Sequence, residues 1–148
     1  MNVGSIVIGD VMLDKYIEGT CDRISPEAPV PIVRIKSETF KLGGAANVAI
    51  GIASLGGTTK ILGNVGDDEL GKIVKSKLEN GGVTHDFVID AKFPTILKSR
   101  VLVNGQQLLR IDREADLIDT GKLIFDKLKN CQTNFKVIVL SDYNKGSL

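Results

Sequence analysis

Apolar residues fall along the chain into two alternating kinds of run. Residues 5–10 form a short, nearly unbroken apolar stretch ending in Gly9-Asp10, as expected of a parallel strand buried on both faces. Residues 59–65 and 137–140 share this character, and 87–89 form a shorter candidate. Between them lie segments of helical length. Residues 45–55 are rich in Ala, Ile and Val, begin after Gly43-Gly44 and end at Gly56-Gly57. Residues 67–80 place Leu70, Ile73, Val74 and Leu78 at helical spacing, with Asp67, Asp68 and Glu69 opposing the helix dipole in the first turn. Residues 120–130 predict a third, amphipathic helix. This alternation of strand and helix predicts an α/β fold, with a parallel central sheet flanked by helices on both faces.

Two segments break the alternation. Residues 16–20 and 30–36 have looser, partly alternating patterns around Ser25-Pro26-Glu27-Ala28-Pro29, and are expected to be short, exposed strands. Residues 95–103 and 106–113 flank Asn104-Gly105, a strong two-residue hairpin signal. The interruptions near 16–36 and 95–113 together predict a small separate sheet. The last apolar strand is followed by eight residues and no covering helix, so the sequence is expected to be truncated within its domain.

Charge and composition narrow the function classes. The 148 residues are 43% hydrophobic and 25% charged, the balance of a globular protein. A net charge of +1 supplies no large basic field, which argues against nucleic acid or an anionic membrane as partner. No stretch approaches the length of a membrane span, and a cytoplasmic location is expected. Cys21 and Cys131 are far apart and lack metal-ligand spacing; both read as small hydrophobes in a reducing compartment. His85 has no nearby catalytic partner and reads as structural. No metal site is expected.

Three clusters could carry chemistry. Asp10 and Asp14 follow the first strand, where open α/β sheets hold their ligands, and two carboxylates can accept hydrogen bonds from a polyhydroxylated molecule. Turn formation and capping explain the same spacing. Gly43, Gly44 and Asn47 begin the first helix. There glycines permit close backbone approach, free N–H groups can bind hydroxyls, and Asn47 offers donor and acceptor together. Simple capping is the alternative. Asp142 and Lys145 follow the last strand, with Lys145 able to neutralise a phosphate; a solvated loop is the alternative reading. Arg100, Arg110 and Arg113 alternate on the hairpin, where some can face a site beneath it. No GxGxxG follows the first strand, which argues against a Rossmann dehydrogenase, and no Walker-type Gly-Lys-Ser/Thr occurs.

Taken together these residues resemble the PfkB, or ribokinase-like, family of carbohydrate kinases. Gly43-Gly44-Ala45-Ala46-Asn47-Val48-Ala49, continued by Gly56 and Gly66, is similar to the family's amino-terminal motif, and residues 65–71 to its next stretch. Residues 9–14, 23–31, 106–112 and 141–146 are similar to the heptose 7-phosphate kinase branch, the Arg23-Ile24-Ser25-Pro26-Glu27-Ala28-Pro29 run most specifically. The resemblance implies the amino-terminal, sugar-binding part of a kinase that uses ATP and Mg2+ to phosphorylate the anomeric hydroxyl of D-glycero-D-manno-heptose 7-phosphate, a lipopolysaccharide precursor. It implies that Asp10, Asp14, Gly43, Gly44 and Asn47 hold the sugar hydroxyls, with Arg110, Asp142 and Lys145 as further lining towards the 7-phosphate. It implies a lid of the inserted strands, through which a homodimer forms. The family's Gly-Ala-Gly-Asp catalytic segment and Asn-x-x-Glu motif do not occur here. Neither a catalytic base nor good binding of ATP or Mg2+ is therefore expected of this chain by itself. Another PfkB sugar or nucleoside kinase, or a non-catalytic sugar-phosphate-binding module, fits the same residues.

Overall fold

The computed structural model describes residues 4–115, 118–131 and 135–148. Four parallel strands, β1 (Gly4–Gly9), β4 (Thr58–Gly66), β5 (Thr84–Asp90) and β8 (Val137–Ser141), form one sheet in the order β5-β4-β1-β8, with β1 and β4 buried and the edge strand β8 largely exposed. The chain steps outward from β1 through β4 to β5, then returns to place β8 on the other side of β1. That reversal makes the carboxyl ends of β1 and β8 the topological switch point, where a ligand crevice opens in folds of this kind.

Helices cover both faces. Helices α1 (Ala45–Ser54) and α2 (Glu69–Asn80) pack Ala45, Ala49, Val74 and Leu78 against Val7, Ile61 and Val65. Helix α3 (Gly121–Lys129) sets Ile124 on Ile6, Ile8, Leu62 and Val88 on the other face, with Cys131 packed against the same cluster. No helix among the described residues is long and apolar enough to cross a membrane.

The interrupting segments build a second sheet in the order β3-β2-β6-β7, from β2 (Val11–Ile24), β3 (Pro31–Gly44), β6 (Ile96–Val103) and β7 (Gln106–Arg113). The separate sheet matches expectation, but β2 and β3 run to 14 residues each rather than being short. Residues 11–14, which follow β1 almost directly, belong to β2 through their pairing with β3 and β6, and Val11, Met12 and Leu13 are buried. Asn104 and Gly105 close the β6–β7 hairpin with φ of 50° and 81°, the positive values a tight hairpin turn requires.

Asp68 joins the two sheets. Its side chain caps α2 by accepting from Gly71 N at 2.8 Å, and it also accepts from Thr95 N at 3.0 Å and Thr95 Oγ1 at 2.7 Å, just before β6. Burial alone pushes its pKa up. The hydrogen bonds from Thr95 and Gly71, with Arg113 nearby, outweigh that and hold the carboxyl below its ordinary 3.8. Because the folded value is depressed, the stabilisation is complete above 3.8 and is lost as pH falls through the folded value. Asp68→Ala is therefore expected to cost about 2 kcal/mol at neutral pH, from a lost cap and a lost tie to Thr95. In urea melts, the gap between variant and wild type should narrow as pH is lowered below 3.8.

Candidate functional site

The site is built on the switch point and on one face of the second sheet. Asp10 stands immediately after β1 and is completely buried. Its Oδ2 accepts from Tyr143 N at 2.7 Å and Lys145 N at 3.1 Å, and its Oδ1 from Ser147 N at 3.1 Å. A carboxylate that accepts from three backbone donors and has no exposed surface is committed to holding the chain together. Asp10, expected to hold sugar hydroxyls, here fixes the loop after β8. Its own carbonyl accepts from Ala45 N at 2.9 Å, so the first helix donor of α1 is also spent internally rather than left free.

Gly44 occupies the junction of β3 and α1 with φ of +55°, and a Cβ there would come within 2.3 Å of the Asp10 carbonyl oxygen. Only glycine lets the helix start this close to β1. At Gly43 a Cβ would lie 2.7 Å from Asp14 Oδ2, so the missing side chain is what leaves room for that carboxylate.

Strand register sets the remaining groups. Asp14 pairs with Lys41 on one side and Lys98 on the other, and Lys98 pairs with Asp112. Partners directly opposite share a face, so Lys41, Asp14, Lys98 and Asp112 form a row of alternating charge across all four strands. Asp14 Oδ1 also accepts from Arg100 Nη1 at 2.5 Å, and Arg100 lies 5.4 Å from the centre of the Tyr16 ring. The hydrogen bond to Asp14, which favours the charged form, raises the Arg100 pKa. Asp14 and Arg100 are each about one-fifth exposed, so their remaining hydrogen-bonding capacity is open to a ligand.

Lys145 lines a cavity of about 260 Å3 together with Asn64, Ile96, Glu114 and Asn144. Asn64 lies near the carboxyl end of β4, and its amide oxygen accepts from Ser147 Oγ at 2.6 Å, which leaves the amide N–H donors out of that bond. Asp142 is exposed and caps the local turn, accepting from Asn144 N at 2.7 Å.

Not every expected residue converges here. Arg110, on exposed β7, is the cross-strand partner of Arg100 and so shares the face of Asp14 and Lys98, with its Nε 2.9 Å from Asp112 Oδ1. Asn47 is exposed and borders a separate, open depression with Phe40, Lys41 and Lys77. Gly43, Gly44 and Asp14 come together, as do Asp10 and the backbone of Lys145. Two participants were missed by sequence reasoning. Lys98 and Glu114 carried no motif signal, although the period-two pattern of β6 places Lys98 on the same face as Arg100. His85 is structural, stacked on Phe87 at 5.0 Å and bonded to Glu79.

A switch-point crevice covered by a small second sheet, with carboxylate and lysine side chains facing it, defines an α/β fold of the sugar-kinase kind. The pfkB family carbohydrate kinase model matches residues 4–145, and the chain belongs to that family. It is 45% identical over 148 residues to the Bifunctional protein HldE of Vibrio vulnificus and 46% identical over 146 residues to that of Vibrio cholerae. These alignments cover 99% and 98% of this chain but 31% of each relative, so the chain spans about a third of the curated relatives' length. Among solved structures, phosphofructokinase-2 from Escherichia coli in complex with fructose-6-phosphate superposes with a TM-score of 0.69 at 25% identity, over 95% of this chain and 45% of that one.

Proposed function

We propose that this chain provides the acceptor site of a cytoplasmic sugar-phosphate kinase, and that its sugar is D-glycero-D-manno-heptose 7-phosphate, phosphorylated at the anomeric hydroxyl. The observation that carries the reading is Asp14. It is held by Arg100 on the covering face of the second sheet, beside the space that Gly43 leaves open. A carboxylate fixed in this way accepts hydroxyl protons in a defined geometry at little further ordering cost. The similarity to proteins named HldE supports the heptose, and the binding of fructose-6-phosphate by a structural neighbour supports a sugar phosphate as the class.

The residues present do not fit a nucleotide. The N–H groups of Tyr143, Lys145 and Ser147 are spent on Asp10, and that of Ala45 on the Asp10 carbonyl, so they form no cradle for a triphosphate. ATP and Mg2+ would have to be held by other groups, and no phosphoryl-transfer step is assigned to this chain. The second sheet would act as a lid that excludes water from the sugar. The same sheet offers a surface for a homodimer, because Leu109 and Ile111 are 45% and 56% exposed on the face they share with buried Val101.

Calorimetric titration with heptose 7-phosphate and with fructose 6-phosphate tests the reading. The heptose is expected to bind at least about tenfold more tightly, a difference of roughly 1.4 kcal/mol. Equal affinity would return the chain to the wider family of sugar kinases, and a folded sample that binds neither sugar would overturn the acceptor assignment.

A further inference from the structure

Among the described residues, every sheet edge but one is guarded by charge. The edge strands β3, β5 and β7 carry Lys36 and Glu38, Asp86 and Asp90, and Arg110 and Asp112 respectively. Charged side chains of this kind deter pairing with another chain. The remaining edge, β8, reads Val137-Ile138-Val139-Leu140-Ser141, with no charged residue and no proline. Both of its faces are open as well. Ile138 and Leu140 are 57% and 64% exposed on one face, and on the other Val137 borders an apolar groove with Ile52 and Leu55.

The backbone of β8 is poised for a further partner. In the parallel ladder with β1, the Ser141 carbonyl accepts from Asp10 N at 3.1 Å. Backbone groups alternate sides along a strand. Val137, Val139 and Ser141 therefore turn theirs to β1, and Ile138 and Leu140 turn theirs to the open edge.

We propose that this edge pairs with the β8 edge of a second copy of the chain, antiparallel about a two-fold axis at Val139. The register sets Ile138 opposite the partner's Leu140, so the two residues exchange both N–H···O=C bonds as a hydrogen-bonded antiparallel pair does. Ile138 and Leu140 of the two copies then form one apolar cluster on a sheet that continues across the axis. Charge fits the same register. Exposed Lys136 stands just before β8 and exposed Asp142 just after it, so each lysine meets the partner's Asp142. A parallel pairing would instead set lysine beside lysine and aspartate beside aspartate, which is unfavourable. A two-fold contact of this kind closes as a dimer rather than propagating. It is separate from the second-sheet surface at Leu109 and Ile111, and it does not depend on the sugar reading.

Sedimentation velocity of the whole chain between about 5 μM and 1 mM tests the proposal, with a dimer dissociation constant of roughly 10–100 μM expected for so small an interface. Ile138→Lys places a charge in the apolar cluster and is expected to raise that constant at least about tenfold. Lys136→Glu should raise it about 3- to 10-fold by facing the partner's Asp142, and Asp142→Asn added to it should recover most of the loss. Val139→Cys reads the register independently. A non-hydrogen-bonded antiparallel pair lies close enough for a disulfide, so mild oxidation should yield covalent dimer above the background that Cys21 and Cys131 set in the parent chain. A chain that stays monomeric throughout this range overturns the proposal and leaves the edge to a strand of another polypeptide. A dimer that survives Ile138→Lys, or that gives no cross-link through Val139→Cys, overturns it too. If such a dimer is dissociated by Leu109→Lys, the contact belongs to the second sheet instead.

Discussion

Asp10→Ala is expected to be the most damaging single substitution outside the hydrophobic core. It removes the acceptor for three backbone donors, from Tyr143, Lys145 and Ser147, at a position with no access to water. A buried donor left unpaired costs roughly 1–3 kcal/mol; Ser147 N is buried and Tyr143 N and Lys145 N are partly so, and a loss of about 4 kcal/mol is expected after partial relaxation. For a chain of this length that corresponds to a fall in Tm of about 8–16 °C by scanning calorimetry. Asp10→Asn should fall between variant and wild type, because the amide keeps one acceptor and turns an N–H towards backbone donors in place of the other. A melting point within about 2 °C of wild type for Asp10→Ala, the smallest shift expected for the loss of a single buried hydrogen bond, would mean that the loop after β8 is held by something else.

Asp14→Ala should act on binding where Asp10→Ala acts on folding. Asp14 is partly exposed, and its loss leaves Arg100 near water and the Tyr16 ring rather than stranded in the core. Stability should therefore change by no more than about 1 kcal/mol, as for a partly exposed pair. Sugar affinity should fall much further. A hydrogen bond to a charged group contributes about 1.5–3 kcal/mol, so the dissociation constant for heptose 7-phosphate is expected to rise by about 10- to 100-fold. Calorimetry on the folded variant checks both halves. Unchanged affinity would remove Asp14 from the acceptor site.

These two aspartates also show where sequence reasoning reached and where it stopped. β1 and β4 were legible because a strand buried on both faces must be apolar at nearly every position, and β8 carries the same unbroken apolar run although Val137, Ile138 and Leu140 are exposed here. Asn104-Gly105 declared its hairpin because few residue pairs accept positive φ twice in succession. The lengths of β2 and β3 were not legible. Their pairing joins residues 11–24 to 31–44 through two register shifts, and β3 is polar along most of its exposed length, so no local apolar run marks it.

The candidate site was half visible for a related reason. The glycines and Asp14 announce themselves by residue type and motif. The role of Asp10 depends on three N–H groups more than 130 residues away in the chain. At the sequence level a carboxylate that binds a ligand and one that binds a distant loop look alike. Arg110 was suggested by its motif, and strand register sets it opposite Arg100, on the exposed strand β7 beside Asp112. Lys98 and Glu114 entered only when strand register and ion-pair distances put them beside Asp14 and Lys145.

The acceptor site itself is tested most directly by amide chemical-shift mapping of the labelled chain during titration with heptose 7-phosphate. The account expects the largest changes at Gly43, Gly44, Asp14 and Arg100, with a second group at Lys98, Glu114 and Asn144 to Lys145. Saturable changes confined to the depression beside Asn47 and Lys77, or to the exposed outer face of β7, would contradict it.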